Sequence, residues 1–83
     1  MTPDELLRRY PRETLRWLRR RLGRSQLRFA LDLGVSPTTL GNWEARRHGL
    51  SDAHRAQLAP LLAPHLATSE GESFIQSLGR GGE

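Results

Sequence analysis

Three histidines are the side chains of this sequence best suited to bind a metal ion or to move a proton: His48, His54 and His65. No two of them are four residues apart, and the chain has no cysteine, so the sequence lacks the ligand spacing typical of zinc sites. Catalysis by a serine and a histidine would need a nucleophile turn and a core large enough to exclude water, and neither is indicated. We therefore expect no metal site, no cofactor and no enzymatic reaction.

Arginine is the other residue type whose placement is informative. All 13 basic residues are arginine, and nine of them lie within residues 8–28 against one acid, Glu13, which gives this stretch a net charge of +8. Residues 68–83 have a net charge of −2. Arginine pairs well with phosphate oxygens and base edges, although a GC-rich genome also explains the absence of lysine. The asymmetry indicates either a polyanionic partner, such as nucleic acid, or a solvated helix face.

The length of 83 residues allows one small domain, whose short helices must be stabilised by packing on one another. Nothing in the sequence has the pattern of an export signal or a membrane span, so we expect a cytoplasmic protein with no membrane partner.

Capping residues and apolar spacing predict an all-α fold of five or six helices. Helices are expected from Pro3 to Arg9, from Arg12 to Leu22, from Ser25 to Leu33 and from Ser36 to about Arg47. A further helix is expected after Ser51. Because proline removes a donor and clashes with the preceding turn, Pro60 and Pro64 predict a break near Ala59 and a last short helix. We divide the chain into an N-terminal helical extension (1–11), a central domain (12–67) and a flexible acidic, glycine-rich tail (68–83).

Only Gly34, Val35 and Ser36 separate the third and fourth predicted helices. So short a link holds two helices at a tight angle, which is the geometry of a helix-turn-helix. Gly34 supplies the positive φ of the turn, and Ala30 is small where the two helices approach. Val35 and Leu40 are expected to fill the space between them.

These residues resemble the Cro/C1 repressor-like (XRE) family of helix-turn-helix DNA-binding proteins. The matching positions are Leu15, Leu18, Arg19, Gln26, Phe29-Ala30, Leu33-Gly34-Val35-Ser36, Leu40 and Trp43-Glu44. The resemblance covers roughly residues 13–62 and implies a lambda repressor-like DNA-binding domain. It also implies that Arg19 and Glu44 form a partly buried ion pair, while Trp43 is expected in the core.

The sequence departs from the family pattern at several positions. Arg46 stands where the family often has glycine, which suggests a longer fourth helix. Trp17, Leu27 and Leu31 are apolar where the family is usually polar, so they need a cover. That cover could come from Leu6, Leu7 and Tyr10, from Phe74, Ile75 and Leu78, or from a partner subunit.

In the docking mode of this motif, the first turns of its second helix face base edges in the major groove. We therefore predict base contacts from Pro37, Thr38, Gly41 and Asn42. Asn42 is the strongest candidate because an amide can bond bidentately to adenine. Gln26 resembles the phosphate-contacting glutamine of the family, and Arg28, Arg46 and Arg47 are further phosphate candidates. Most of the remaining arginines point in different directions around their helix and are expected to be solvated.

The function predicted from the sequence is sequence-specific binding of double-stranded DNA by a bacterial or phage transcriptional regulator, with repression as the expected effect. A homodimer reading a palindrome is expected, because one such module buries only about 600–1,000 Å² of protein surface on DNA. Its dimer surface is predicted at residues 58–66 with the tail. The alternative is an antitoxin or mobile-element adaptor whose tail, through the segment ESFIQSL, binds a protein partner.

Overall fold

The structure is a computed structural model, and it describes residues 1–45 and 49–81. Over these residues it contains six helices and no strand. The helices are α1 Pro3–Arg9, α2 Pro11–Arg21, α3 Gln26–Leu33, α4 Pro37–Glu44, α5 Asp52–Leu66 and α6 Ser69–Gly81. The all-α prediction is therefore confirmed.

The four side-chain caps that the sequence predicts are all present. Thr2 and Glu5 form a capping box at α1, and the hydroxyls of Ser25, Ser36 and Ser51 accept hydrogen bonds from the first-turn amides of α3, α4 and α5. These caps lie where the sequence places them. The helix α4 ends at Glu44, with Ala45 as its C-cap, so it is shorter than the predicted span 36–47.

Helix α5 is continuous, and the predicted break near Ala59 is wrong. Pro60 and Pro64 both lie inside this helix and on its exposed side. Each proline deprives the carbonyl four residues earlier of its donor. Those carbonyls belong to Ala56 and Pro60, which are exposed, so water can satisfy them. Leu58 and Leu62 lie on the buried side, and their packing stabilises the continuous helix.

The predicted flexible tail contains a helix that the sequence analysis missed. Helix α6 packs against α5, and its Leu78 is buried. The approach is close at Gly71, where an added Cβ would lie 2.5 Å from the Leu66 carbonyl oxygen. Serine and glycine, which are frequent in this segment, have weak helix propensity, but contact with the rest of the fold overrides that preference.

One hydrophobic core joins helices α1 to α5. It contains Leu7 of α1, Leu15 and Leu18 of α2, Leu50 from the segment before α5, and further residues of α3, α4 and α5: Phe29, Ala30, Leu33, Leu40, Trp43, Leu58 and Leu62. Helix α1 is held on α5 by an ion pair of 3.0 Å between Arg55 Nε and Asp4 Oδ1, and this hydrogen bond raises the pKa of Arg55. The division of the chain at residues 11 and 67 stays a prediction.

The fold covers one of the three apolar residues that needed a cover and leaves the other two exposed. Trp17 stacks on Phe74 of α6, with ring centroids 4.8 Å apart and planes 10° apart, so its cover comes from the same chain. Leu27 and Leu31, in contrast, are 59% and 63% exposed. The predicted dimer surface is also changed, because Leu58 and Leu62 are buried within the chain and Leu61 is the exposed leucine of that turn.

Candidate nucleic-acid interface

The bend between α3 and α4 is built from backbone hydrogen bonds. Gly34 has φ +71°, and the Val35 amide donates to the Ala30 carbonyl at 3.0 Å. This is the pattern of a glycine-terminated helix, and it requires the left-handed conformation that glycine adopts most readily. The Ser36 hydroxyl then accepts from the Thr39 amide at 3.0 Å and starts α4. Because α3 and α4 pack against each other directly after this turn, the two helices cannot be collinear.

A buried ion pair joins α2 to α4. Arg19 donates from Nε to Glu44 Oε2 at 3.0 Å and from Nη2 to Glu44 Oε1 at 3.1 Å. The side chains are 16% and 4% exposed, respectively. Bidentate geometry and burial make this a stronger link than a surface pair. The pair expected from the family resemblance is thus present, and it holds the C-terminal end of α4 against α2.

The same carboxylate also positions Gln26. The Gln26 Nε2 atom donates to Glu44 Oε1 at 3.2 Å, although the Gln26 residue is exposed at the start of α3. One amide hydrogen is used in this bond, which leaves the second hydrogen free to donate to an anion. The sequence indicated Gln26 as a phosphate contact, but its contact with Glu44 could not be deduced from spacing because 18 residues separate the two.

The four predicted base-contacting residues lie on two neighbouring rows of α4. Pro37 and Gly41 form one row, and Thr38 and Asn42 form the other, since residues four apart share a helix face. Pro37 and Thr38 are exposed, whereas Gly41 and Asn42 are half-buried. Core residues of α4, Leu40 and Trp43, occupy other positions around the helix. Among the described residues the Asn42 amide has no hydrogen-bond partner, so it is available to a ligand.

The predicted phosphate contacts are only partly visible. Arg46 and Arg47 lie outside the described residues. The Arg28 side chain is 61% exposed, and its Nε lies 3.7 Å from Asp32 Oδ1. The other carboxylate oxygen of Asp32 lies 3.3 Å from Arg24 Nε. Asp32 was not among the predicted site residues, although its position four residues after Arg28 indicates a pair on one helix face. Exposed pairs of this kind contribute little, so Arg28 can exchange Asp32 for a phosphate.

A small crevice of about 160 Å³ lies where α2, α3 and α4 meet. It brings predicted contacts from two helices together, and its lining is Arg16, Arg19, Gln26, Gly41, Glu44 and Ala45. Arg16 was not among the predicted contacts. Its spacing of three residues from Arg19 places it on the same face of α2, so the signal was present in the sequence.

Two of the three histidines have structural contacts. The His54 ring packs edge-on against Trp43 with centroids 4.8 Å apart, and its Nδ1 lies 2.9 Å from the Ser51 hydroxyl. His65 Nδ1 accepts a hydrogen bond from Arg21 Nε at 2.9 Å. His48 is outside the described residues. Within the part of the chain that is described, no group of three or more potential ligands could hold a metal ion.

The bundle, the tight turn after α3 and the outward-facing first turns of α4 together define a helix-turn-helix protein. Residues 15–54 match the family model described as Helix-turn-helix. This segment is a Cro/C1-type, XRE-family helix-turn-helix domain in a lambda repressor-like bundle, which confirms the family resemblance. Domains of this family are DNA-binding regulatory modules.

Comparisons with curated proteins and with solved structures found no match. Of the described helices, none combines the length and the apolar character that crossing a membrane requires.

Proposed function

We propose that this chain is a transcriptional repressor that binds a specific double-stranded DNA site as a homodimer, with α4 in the major groove. The observation that carries the proposal is the face of α4 on which Pro37 and Thr38 are exposed and Asn42 is half-buried, with an Arg19–Glu44 pair that holds the end of this helix against α2. In such a docking mode the early residues of the second helix reach the base edges. We place the protein in the bacterial cytoplasm, on the nucleoid or on phage DNA.

Each residue has a distinct role in the proposal. The Asn42 amide donates to and accepts from an adenine edge, and the Thr38 methyl group contacts a thymine methyl. Gly41 allows the backbone to approach the groove because no side chain intervenes. Gln26 and Arg28 bind phosphates on either side and fix the orientation of the domain, with Arg46 and Arg47 proposed as additional phosphate contacts.

The proposal can be tested by selecting bound duplexes from a random pool. A conserved sequence among the selected duplexes would support specific binding, and a palindrome would support the homodimer, whose two-fold symmetry the site must mirror. Selected duplexes without any shared sequence would contradict sequence-specific recognition. Placing the selected site in a reporter promoter then distinguishes repression from activation.

Substitutions separate base contacts from phosphate contacts. Asn42→Ala should lose about 1–3 kcal/mol of discrimination between bases at one or two base pairs. Arg28→Ala should lower the affinity for all DNA sequences by the same factor. Gln76→Ala, at an exposed position of α6, removes a comparable amide outside α4 and serves as the control. The opposite pattern, with Arg28 controlling base preference, would reassign both residues.

We do not extend the proposal to a protein partner bound by the C-terminal segment. Two of the three apolar residues that would engage such a partner are already used within the chain. Phe74 stacks on Trp17, and Leu78 is buried.

A further inference from the structure

Helix α2 carries five arginines, and the structure separates them into two groups. Arg19 is paired with Glu44. The Nη2 atom of Arg21 lies 3.6 Å from Glu70 Oε1, and its Nε donates a hydrogen bond to His65 Nδ1. The Arg21 Cζ atom is also 5.5 Å from the centre of the Trp17 ring, so the charge of Arg21 is engaged as well. The remaining arginines have no ion pair with any residue in the described ranges: Arg12, Arg16 and Arg20.

These three arginines form one row along α2, because each lies four residues from the next. At about 1.5 Å rise per residue, successive members are about 6 Å apart along the helix axis. The sequence alone suggested that most arginines of this region were spread around the helix and solvated. We call Arg12, Arg16 and Arg20 the arginine row.

The arginine row lines a groove of about 480 Å³ together with Glu13, Trp17 and Phe74. With three arginines and one glutamate, the lining has a formal charge of +2. Phe74 reaches this groove from α6 and stacks on Trp17, so one wall of the groove is apolar. An apolar wall beside fixed cations strengthens their attraction for an anion, because the local dielectric is lower than in water.

Arg16 connects this groove to the candidate DNA-binding surface. It lines the groove, and it also lines the crevice that contains Gln26 and Gly41. An extended polyanion held at Gln26 would therefore meet Arg16 and then the rest of the row. A small anion is too short to contact both the crevice and the groove. A chain of phosphates can contact both at once.

We propose that the arginine row binds the sugar-phosphate backbone of the same duplex, beyond the segment read by α4. The inference rests on the proposed function and enlarges the bound segment. Guanidinium groups suit this partner because they donate two parallel hydrogen bonds to phosphate oxygens. In the bound state the row neutralises phosphates and releases their counterions, so it increases both the affinity and its dependence on salt.

The test compares two charge-matched double variants, Arg12→Gln/Arg16→Gln and Arg8→Gln/Arg9→Gln. The second pair is exposed on α1 and removes the same charge away from the groove. Fluorescence anisotropy with a labelled 30-base-pair duplex, measured at several salt concentrations, gives the slope of log K against log salt. Each lost phosphate contact should reduce that slope by about 0.9, so we expect Arg12→Gln/Arg16→Gln to reduce it by about 1.8 and Arg8→Gln/Arg9→Gln to leave it unchanged.

Further measurements make the result decisive. Arg12→Lys/Arg16→Lys should keep most of the slope, because it keeps the charge, and circular dichroism checks that each variant is folded. If a folded Arg12→Gln/Arg16→Gln variant has the same slope as the Arg8→Gln/Arg9→Gln variant while Asn42 still controls base preference, the inference is wrong and the proposed function stands. If the unmodified protein binds no duplex at any salt concentration, both are wrong. Tripolyphosphate binding that requires Arg12 and Arg16, with an unchanged DNA slope, would overturn the inference in favour of a small-anion site.

Discussion

The ion pair between Arg19 and Glu44 allows a sharp prediction about stability. Glu44→Gln keeps the shape of the side chain and removes its charge. The Arg19 guanidinium would then remain 16% exposed with no carboxylate partner. Removing one member of a buried pair typically costs 3–5 kcal/mol, because the other charge stays desolvated and unpaired.

The structure favours the lower end of that range. Arg19 Nη1 also donates to the Arg24 carbonyl at 3.2 Å, and the glutamine can still accept one hydrogen bond. We therefore expect a loss of about 3 kcal/mol. A chain of 83 residues has a total free energy of unfolding of about 4–12 kcal/mol, so this is a large fraction of the whole. The corresponding fall in Tm is about 12–24 °C.

Urea denaturation followed by circular dichroism measures the effect, and Asp32→Asn provides the matched control. Asp32 also faces two arginines, Arg24 and Arg28, but it is 39% exposed and should contribute less than about 1 kcal/mol. The double variant Arg19→Met/Glu44→Leu should regain most of the lost stability, since no charge is left buried. The reasoning would be refuted if Glu44→Gln and Asp32→Asn changed the free energy of unfolding by the same amount.

Two further predictions concern the attachment of α6. Gly71→Ala places a Cβ 2.5 Å from the Leu66 carbonyl oxygen, so we expect α6 to shift. The tryptophan signal in near-UV circular dichroism should weaken, and the free energy of unfolding should fall by about 1–3 kcal/mol, as in an overpacked core. Gly49→Ala, where an added Cβ meets nothing within 4 Å, is the control, and equal effects at both glycines would contradict the close approach. The second prediction concerns the pH dependence of stability. The Ser69 hydroxyl donates a hydrogen bond to the Glu70 carboxylate, and this bond lowers the pKa of Glu70 from its ordinary value of 4.5. The positive charge of Arg21 lowers the same pKa further. A lowered pKa in the folded state means that this stabilisation is complete above pH 4.5 and disappears as the pH falls through the lowered pKa. The difference in unfolding free energy between the unmodified protein and Glu70→Gln should therefore be seen at pH 7 and vanish at low pH in urea denaturation; a difference that persists there would count against the hydrogen bond.

Local signals in the sequence were sufficient for the helix-turn-helix itself. Ser25, Gly34 and Ser36 act on backbone groups within a few residues of themselves, so their caps and the left-handed turn can be predicted from adjacent residues. The Arg19–Glu44 pair spans 25 residues, and it could be anticipated only through the resemblance to the Cro/C1 family.

Helices α5 and α6 show where local signals fail. Pro60 and Pro64 predict a break, yet the buried leucines of the same helix hold α5 together. In α6 the residue preferences indicate a flexible chain, and the helix forms against α5 and Trp17. Helix propensities amount to about 1 kcal/mol or less for each residue of α6 and to about 3 kcal/mol for each proline of α5. Fully burying a leucine contributes about 1.5–3 kcal/mol, so the burial of a few such side chains can offset them.

The sequence by itself determined the composition of this protein's surface and the local geometry of its turn: an excess of arginine, capped short helices and a glycine where φ must be positive. Only the tertiary structure decided which arginines are engaged by acids and which are available. Arg19 and Arg21 meet Glu44 and Glu70 through contacts between distant parts of the chain, whereas the arginine row meets none among the described residues. The physical reason is that charge pairing depends on distance in space, and spacing along a helix places side chains only relative to their own helix axis.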